Sequence, residues 1–225
     1  MRPPKALLLD VDNTLVDRAA AYEAFAWRLL EKAGLGGDAE RHARLVAIDA
    51  GCYCPRPRWA RETEAALPEL GWSYIEIWRD FETQVIELMP DPPAIREALG
   101  RLKGRVALVA CTNGPPKLQN AKIDRAGLRD LLDDAVISGD LGIRKPAEEM
   151  FLEAARRAGV DKDDAIMVGD NASHDIAGAQ ACGIRTAFVD ATWTHFGLRL
   201  PAGLAPTWTV ARTTEFLAMV DDALG

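Results

Sequence analysis

The stretch Leu7–Leu15, with the sequence LLLDVDNTL, decides the predicted fold of this chain. A short apolar run that ends at two aspartates, Asp10 and Asp12, is typical of a buried strand that presents both carboxylates at its C-terminal end. Such close carboxylates repel each other unless a cation lies between them. The stretch indicates a metal site, a carboxylate nucleophile or both, although these residue types also gather where a strand ends in a turn or a helix is capped.

A second predicted strand, Arg105–Ala110, is followed by the polar residues Thr112, Asn113 and Gly114 and then by a helical pattern. Backbone N–H groups at such a strand-to-helix turn, together with a threonine hydroxyl, can hold phosphate oxygens, and the start of the helix adds positive potential. Asn-Gly is also an ordinary turn signal. This segment therefore indicates a phosphate-binding turn only in combination with the other segments.

A third segment carries a single cation, Lys145, directly before Pro146. The proline is suited to the first position of a helix, which we predict to run through Ala158. Most lysines are solvated surface residues. Lys145 stands out because it follows the two candidate phosphate-binding segments along the chain.

A fourth segment is a predicted strand, Ala165–Val168, that ends at Asp170. Ser173 is predicted to cap a helix that runs through Ala181, which would place Asp175 in the first turn of that helix. A carboxylate there complements the helix dipole, whereas Asp170 at a strand end has no such ordinary explanation.

In this order and spacing, the four segments resemble the four motifs of the haloacid dehalogenase superfamily of phosphohydrolases. The resemblance covers nearly the whole chain, although the stretch from about Val16 to Met89 matches in size and character rather than by motif. The matching segments are Asp10–Leu15, Thr112–Gly114, Lys145-Pro146 and Gly169–Asp175.

The resemblance implies a role for each motif residue. Asp10 is the expected nucleophile towards phosphorus, and Asp12 is expected to protonate the leaving oxygen and then to accept a proton from water. The implied cofactor is Mg²⁺. Its expected ligands are the Asp10 and Asp170 carboxylates and the Asp12 backbone carbonyl, with Asp175 acting through a water or by orienting Lys145; Thr112, the Asn113 backbone and Lys145 are the expected phosphate-binding groups.

Three further segments refine the resemblance. They are similar to the branch of the superfamily that contains pyrimidine 5′-nucleotidases and N-acylneuraminate-9-phosphatase-like enzymes, so a nucleoside 5′-monophosphate is the expected substrate. A sugar-phosphate phosphatase and a phosphomutase remain open. The segments are Ser138–Pro146, Val168–Asn171 and Ala205–Val210.

Strands that alternate with helical stretches predict an α/β fold with a Rossmann-like parallel sheet. We expect this catalytic core at residues 1–15 and 91–225. Residues 16–90 lack strand character and are expected to form a smaller helical cap. The other predicted strands are Ala6–Leu9, Ala135–Ile137 and Arg185–Val189, and the helical stretches of the cap are Ala19–Gly34, Asp38–Ala50, Arg58–Leu67 and Ser73–Leu88.

The composition narrows the possible partners. The formal net charge is −7 and no long basic run is present, which argues against a nucleic-acid polymer as a partner. No apolar run of membrane-spanning length and no signal pattern is found, so we expect a cytoplasmic protein without a membrane partner, acting on a small phosphomonoester. No particular oligomeric state is predicted.

The sequence is also compatible with two other classes of protein. A phospho-accepting signalling switch also combines acids, a threonine or serine and a lysine on a parallel α/β fold. The chain is much longer than one such domain, and a helical insertion follows its first strand. A non-catalytic binding protein on the same scaffold is the second alternative, but Asp10, Asp12, Thr112, Lys145 and Asp170 are all present.

Overall fold

The strand predicted at the N-terminus lies at the centre of a six-stranded, fully parallel sheet in the order β3-β2-β1-β4-β5-β6. The protein is described by a computed structural model that covers residues 2–50, 54–190 and 200–225. The α/β, Rossmann-like prediction is confirmed. The strands are β1 (Ala6–Leu9), β2 (Ala107–Thr112), β3 (Asp134–Ile137), β4 (Ala165–Gly169), β5 (Arg185–Val189) and β6 (Trp208–Val210).

Strand β1 is buried because it is paired on both sides. Leu7 pairs with Leu108 of β2 and with Ile166 of β4, and every residue of β1 is fully shielded from solvent. Continuous apolar runs are the expected sequence of strands covered on both faces. The chain moves outward in one direction from β1 to β3 and in the other from β4 to β6, so a crevice is expected at the carboxyl end of β1.

Helices surround this sheet, and the apolar side of one of them supplies much of a core cluster on one sheet face. Met150 and Phe151 are completely buried there against Leu8, Val109 and Met167. The helices of this part of the chain are α5 (Pro93–Leu102), α6 (Pro116–Arg125), α7 (Ser138–Leu141), α8 (Glu148–Arg157), α9 (Gly178–Ala181) and α10 (Thr213–Leu224), with helical turns at Lys162–Asp164 and Ala172–Ala177.

One local prediction was wrong in this region, and one strand was missed. Helix α8 begins at Glu148 with Ala147 as its cap, so Pro146 precedes the helix instead of occupying its first position. Strand β6 was not predicted, because its three residues are too short for an alternating pattern to be recognised. It extends the sheet by pairing with β5.

The stretch Asp17–Pro90 forms a second compact unit, distinct from the one that contains the sheet. It is helical, as the sequence predicted. Asp17 caps the first helix by accepting a hydrogen bond from Ala20 N, and Ser73 and Glu76 form a reciprocal capping box at the last. The helices are α1 (Arg18–Lys32), α2 (Ala39–Asp49), α3 (Arg56–Ala66) and α4 (Tyr74–Glu87), with a short 3₁₀ turn at Pro68–Leu70.

Aromatic side chains fill the interior of the helical unit. Trp59 is completely buried, and its indole N–H donates to the hydroxyl of Tyr22 at 2.7 Å. Phe25 and Phe81 pack edge to face with ring centroids 5.3 Å apart. Such contacts give a small helical unit much of its apolar burial. Whether this unit acts as a cap stays a prediction.

Over the described residues, no helix is both long and apolar enough to cross a membrane. Cys54, Cys111 and Cys182 are free thiols, and the last two are buried. This agrees with the behaviour of unpaired cysteine as a small apolar side chain.

Candidate active site

Lys145 is in direct contact with both Asp10 and Asp175. Asp10 follows β1, Lys145 lies in the segment before α8, and Asp175 lies in the helical turn after β4. The ammonium of Lys145 donates to Asp10 Oδ1 at 2.7 Å and to Asp175 Oδ1 at 2.6 Å. Lys145 is only 2% exposed. A buried ammonium is tolerated when it is paired and hydrogen-bonded, and here one lysine links two carboxylates from distant parts of the chain.

Asp170 follows the last residue of β4 and belongs to the same group of acids. Carboxylate oxygens of Asp10, Asp170 and Asp175 all lie within 4.8 Å of one another. The amide of Asn13 donates to Asp170 Oδ2 at 3.5 Å. The first and fourth motifs therefore lie close together.

The turn after Asp170 is capped by Asn171, so the prediction of Ser173 as the cap was wrong. Asn171 Oδ1 accepts hydrogen bonds from the backbone N–H groups of Ser173 and His174. Both side chains are suitable caps by type, and only the position of the turn start decides between them. Asp175 lies in the first turn as predicted.

The two carboxylate oxygens of Asp175 accept hydrogen bonds from different donors. Its Oδ2 accepts a hydrogen bond from the backbone N–H of Asn171 at 3.0 Å, while its Oδ1 accepts from Lys145. The carboxylate is completely buried. Both oxygens of Asp175 therefore accept hydrogen bonds, one of them from the ammonium of Lys145. The role of Asp175, through a water or by orienting Lys145, stays a prediction.

Burial governs the electrostatics of the group. Desolvation raises the pKa of Asp10 to about 7, with Lys145 opposing the shift and Asp175 and Asp12 adding to it. Desolvation, followed by repulsion from Asp10 and Asp175, raises the pKa of Asp170 well above its ordinary value. For Lys145, burial alone would lower the pKa, but the two contacting carboxylates outweigh it and raise the pKa overall.

The acidic group fits a hard divalent cation. Three buried carboxylates face the single positive charge of Lys145, and their mutual repulsion adds to desolvation in raising the pKa values of Asp10 and Asp170. Carboxylate oxygens are the ligands that Mg²⁺ prefers, usually from one or two residues together with water and substrate oxygens. The residues are therefore suitable for the predicted ion.

The second motif lies at the end of the neighbouring strand β2. The side chain of Asn113 holds the third motif in place, because its Oδ1 accepts from Lys145 N at 2.8 Å and its Nδ2 donates to Lys145 O at 3.0 Å. Gly114 N donates to Ser138 Oγ. Thr112, the last residue of β2, is 1% exposed and its hydroxyl accepts from Gln119 Nε2 at 2.6 Å.

Asp12 takes part in a contact that the sequence analysis missed. Both of its carboxylate oxygens lie 2.6 Å from the ammonium of Lys122, on α6. Gln119, one turn earlier, lies 3.4 Å from Asp12 Oδ2. Positions three apart on a helix share one face, so the sequence could place Gln119 and Lys122 on one side of the helix that follows the second motif, but it could not show their contact with Asp12.

Residues 4–183 match the family model described as haloacid dehalogenase-like hydrolase. The chain belongs to this family. The family assignment agrees with the order of the four motifs. It also agrees with the positions of Asp10, Thr112 and Asp170 at the carboxyl ends of three neighbouring parallel strands and with the contact of Lys145 with Asp10.

Curated relatives of this haloacid dehalogenase-like hydrolase are phosphatases with different substrates. The pyrimidine 5′-nucleotidase YjjG of Escherichia coli is 35% identical over 60% of the chain and 59% of that protein. A phosphoserine phosphatase of Thermus thermophilus is 32% identical over 83% of the chain and 88% of its own length. Human N-acylneuraminate-9-phosphatase is 26% identical, with 80% of each chain covered.

A solved structure confirms the fold of the hydrolase. The YfnB protein of Bacillus subtilis, in a crystal form bound to magnesium, superposes with a TM-score of 0.77 over 97% of this chain and 99% of the other. The two sequences are 23% identical. The comparison therefore extends the fold assignment to nearly the full length of the chain.

Proposed function

We propose that this hydrolase is a Mg²⁺-dependent phosphomonoester phosphatase that acts through an aspartyl-phosphate on Asp10. The main support is the contact of Lys145 with Asp10, at 2.7 Å within a buried group of carboxylates. Its charge can offset both the nucleophile and an incoming phosphate. The phosphatase activities of the relatives support the same reaction class.

In the first half-reaction, a carboxylate oxygen of Asp10 forms a bond to phosphorus as the bond to the leaving oxygen breaks. Asp12 supplies the proton that the leaving oxygen needs. Lys145, the Thr112 hydroxyl and the Asn113 N–H offset the charge on the transferring phosphoryl group. The product alcohol departs and the phosphoryl group stays on Asp10.

In the second half-reaction, Asp12 as a carboxylate accepts a proton from water. The water oxygen bonds to phosphorus, and the bond between phosphorus and Asp10 breaks, which releases phosphate and restores both side chains. The presence of Asp12 also separates this reaction from dehalogenation. A halide leaving group needs no proton, so dehalogenation gives no role to an acid at this position.

The proposed ligands of the cation are the Asp10 and Asp170 carboxylates and the Asp12 backbone carbonyl. When bound, Mg²⁺ would offset negative charge on the phosphate and on the carboxylates. Asp175 is assigned a supporting role, because its oxygens are engaged with Lys145 and Asn171 N. It fixes the ammonium that faces Asp10.

We further infer that the substrate is a nucleoside 5′-monophosphate. The support is the pyrimidine 5′-nucleotidase, which has the highest identity of the three curated relatives described above. Phosphoserine and N-acylneuraminate 9-phosphate are the substrates named for the other two, so they belong in the test as competing candidates.

The first experiment measures phosphate release from a panel of nucleoside monophosphates, sugar phosphates, phosphoserine and N-acylneuraminate 9-phosphate, with Mg²⁺ and with EDTA. We expect release only with Mg²⁺ and the highest kcat/KM for a nucleotide. Asp10→Asn, purified in parallel, controls for contaminating phosphatases. A preference for another member would refute the nucleotidase assignment, and no release from any member would refute the phosphatase.

The second experiment tests the covalent step. Acid quenching during turnover of a ³²P-labelled substrate should leave label on the protein, and peptide mapping should place it on Asp10. Hydroxylamine should remove the label, as expected of an acyl phosphate. Rearrangement of a sugar phosphate without release of inorganic phosphate would instead identify a phosphomutase.

A further inference from the structure

The contact between Lys122 and Asp12 joins two segments that are far apart in the sequence. Lys122 lies on α6 and is 2% exposed, whereas Asp12 lies on the turn after β1. Lysines are rarely this buried, because removing an ammonium from water is costly unless it is paired. The ammonium lies 2.6 Å from each carboxylate oxygen of Asp12.

Gln119 adds a second contact from the same face of α6. Its amide donates to the Thr112 hydroxyl at 2.6 Å and lies 3.4 Å from Asp12 Oδ2. The side chain is 1% exposed. Helix α6 thus supports both Asp12 and the threonine expected to bind phosphate, in one continuous polar chain from Lys122 to Thr112.

Such a contact matters because the terminal torsion of an aspartate is soft. Rotation about the bond to the carboxylate has broad minima, so the oxygens are not fixed by rotamer preference alone. A proton can be transferred efficiently only when the donor and acceptor oxygens are aligned within hydrogen-bonding distance. An ammonium that contacts both oxygens fixes their orientation.

We propose that Lys122 is a positioning residue that orients the side-chain carboxyl group of Asp12, which as the acid gives its proton to the leaving oxygen and as the carboxylate then takes a proton from water. This inference rests on the proposed phosphatase function and deepens it, since it assigns a role to a residue outside the four sequence motifs. Lys122 acts through Asp12 rather than by contact with the phosphoryl group. Its loss should therefore affect most strongly the substrates that need a proton on departure.

The test compares two substrates of similar shape that differ in leaving group. 4-Nitrobenzyl phosphate releases an alkoxide that needs a proton, whereas 4-nitrophenyl phosphate releases a stabilised phenolate. In Lys122→Met we expect kcat/KM to fall about 10- to 100-fold more for the benzyl ester than for the phenyl ester. An equal loss on both substrates would overturn the proposal, because general misfolding or loss of phosphate binding would act on both alike.

A matched control is available on the same helix. Lys117 is exposed on α6, so Lys117→Met makes the same chemical change without touching Asp12. It should leave both kcat/KM values unchanged. Lys122→Arg, which keeps a cation able to contact a carboxylate, should bring the ratio of benzyl to phenyl kcat/KM back towards the wild-type value.

A double-mutant comparison shows whether Lys122 acts through Asp12. In an Asp12→Asn background, Lys122→Met should cause no further loss of kcat/KM on the benzyl ester. This pair also removes both charges, which protects against a folding defect from an unpaired carboxylate. An effect of Lys122→Met that is as large in the Asp12→Asn background as in the wild-type protein would overturn the proposal.

Absence of the phosphatase activity and absence of the proposed role of Lys122 would give different results. A wild-type protein that releases no phosphate from any ester would contradict the proposed function itself. An active wild-type protein whose Lys122→Met variant keeps the wild-type ratio of benzyl to phenyl kcat/KM would contradict only the role of Lys122.

Discussion

Asp10 is the residue on which the proposed chemistry depends most directly. Asp10→Asn keeps the size of the side chain but removes the nucleophile, so kcat should fall by on the order of 10³-fold or more. The fold should survive, because the change removes one charge from a crowded group of three buried carboxylates and leaves Lys145 paired with Asp175. Steady-state kinetics and thermal unfolding measure the two effects separately.

Asp140→Asn makes the same substitution at an exposed position of α7 and should leave kcat unchanged. Turnover by Asp10→Asn at more than a tenth of the wild-type rate would contradict the covalent mechanism.

Substitution of Asp170 tests whether its carboxylate is a ligand of the proposed Mg²⁺ ion. Asp170→Asn removes a charged ligand while Asp10 and the backbone around the ion remain, so the Mg²⁺ concentration for half-maximal activity should rise by at least about 10-fold. The measurement is a Mg²⁺ titration of phosphate release. Asp163→Asn, at an exposed position before β4, is the control. An unchanged titration would exclude Asp170 as a ligand.

At the scale of elements, the end of β4 has room for only a glycine. A Cβ at Gly169 would overlap the Asp175 carboxylate and lie 2.8 Å from Asp175 Cβ. Gly169→Ala should therefore displace Asp175, loosen Lys145 and lower kcat, with an overpacking cost of about 1–3 kcal/mol in the free energy of unfolding. Denaturant unfolding and kinetics on one preparation measure both.

Gly100→Ala is expected to stabilise the protein, in contrast to Gly169→Ala. This position is inside α5, and an added Cβ meets nothing within 4 Å. The alanine should stabilise the protein by roughly 0.5–1 kcal/mol through helix propensity and leave kcat unchanged. Equal effects of the two substitutions would contradict the steric argument for Gly169.

The sequence predicted some strands and caps of this fold better than others. The bounds of β1 and β5 agree with the predicted runs, because a buried parallel strand is a continuous apolar segment that ends at a polar residue. Strand β6 was missed since three residues carry too little pattern. The capping residue was misassigned because Asn171 and Ser173 are both good caps, and only the backbone path selects one.

Some residues of the candidate site could likewise be predicted from the sequence, and others could not. Asp10, Thr112, Lys145 and Asp170 could be found because each lies at the end of a strand or beside a helix start with a recognisable motif. Lys122 could not be assigned in this way. Its partner Asp12 is distant in the sequence, and the pair depends on where the three-dimensional fold places α6 relative to the turn after β1.

For the molecule as a whole, the acidic group links Mg²⁺ binding to pH and stability. Burial raises the pKa of Asp10 from 3.8 to about 7, so without metal its contribution to stability is present below pH 3.8 and is lost as the pH rises towards and through 7. Mg²⁺ requires the ionised carboxylate and therefore competes with the proton. The ion should stabilise the folded protein more at pH 8 than at pH 5.5.

Thermal denaturation with EDTA and with Mg²⁺ at these two pH values tests this linkage. At 100 times the dissociation constant for Mg²⁺ at pH 8, the apparent melting temperature should rise by roughly 5–10 °C. The same Mg²⁺ concentration at pH 5.5 should give a clearly smaller rise, because Asp10 then holds its proton. Asp170→Asn should weaken the effect at pH 8. An equal rise in melting temperature at both pH values would mean that Mg²⁺ does not bind at carboxylates that hold a proton at pH 5.5. That result would contradict the proposed metal site.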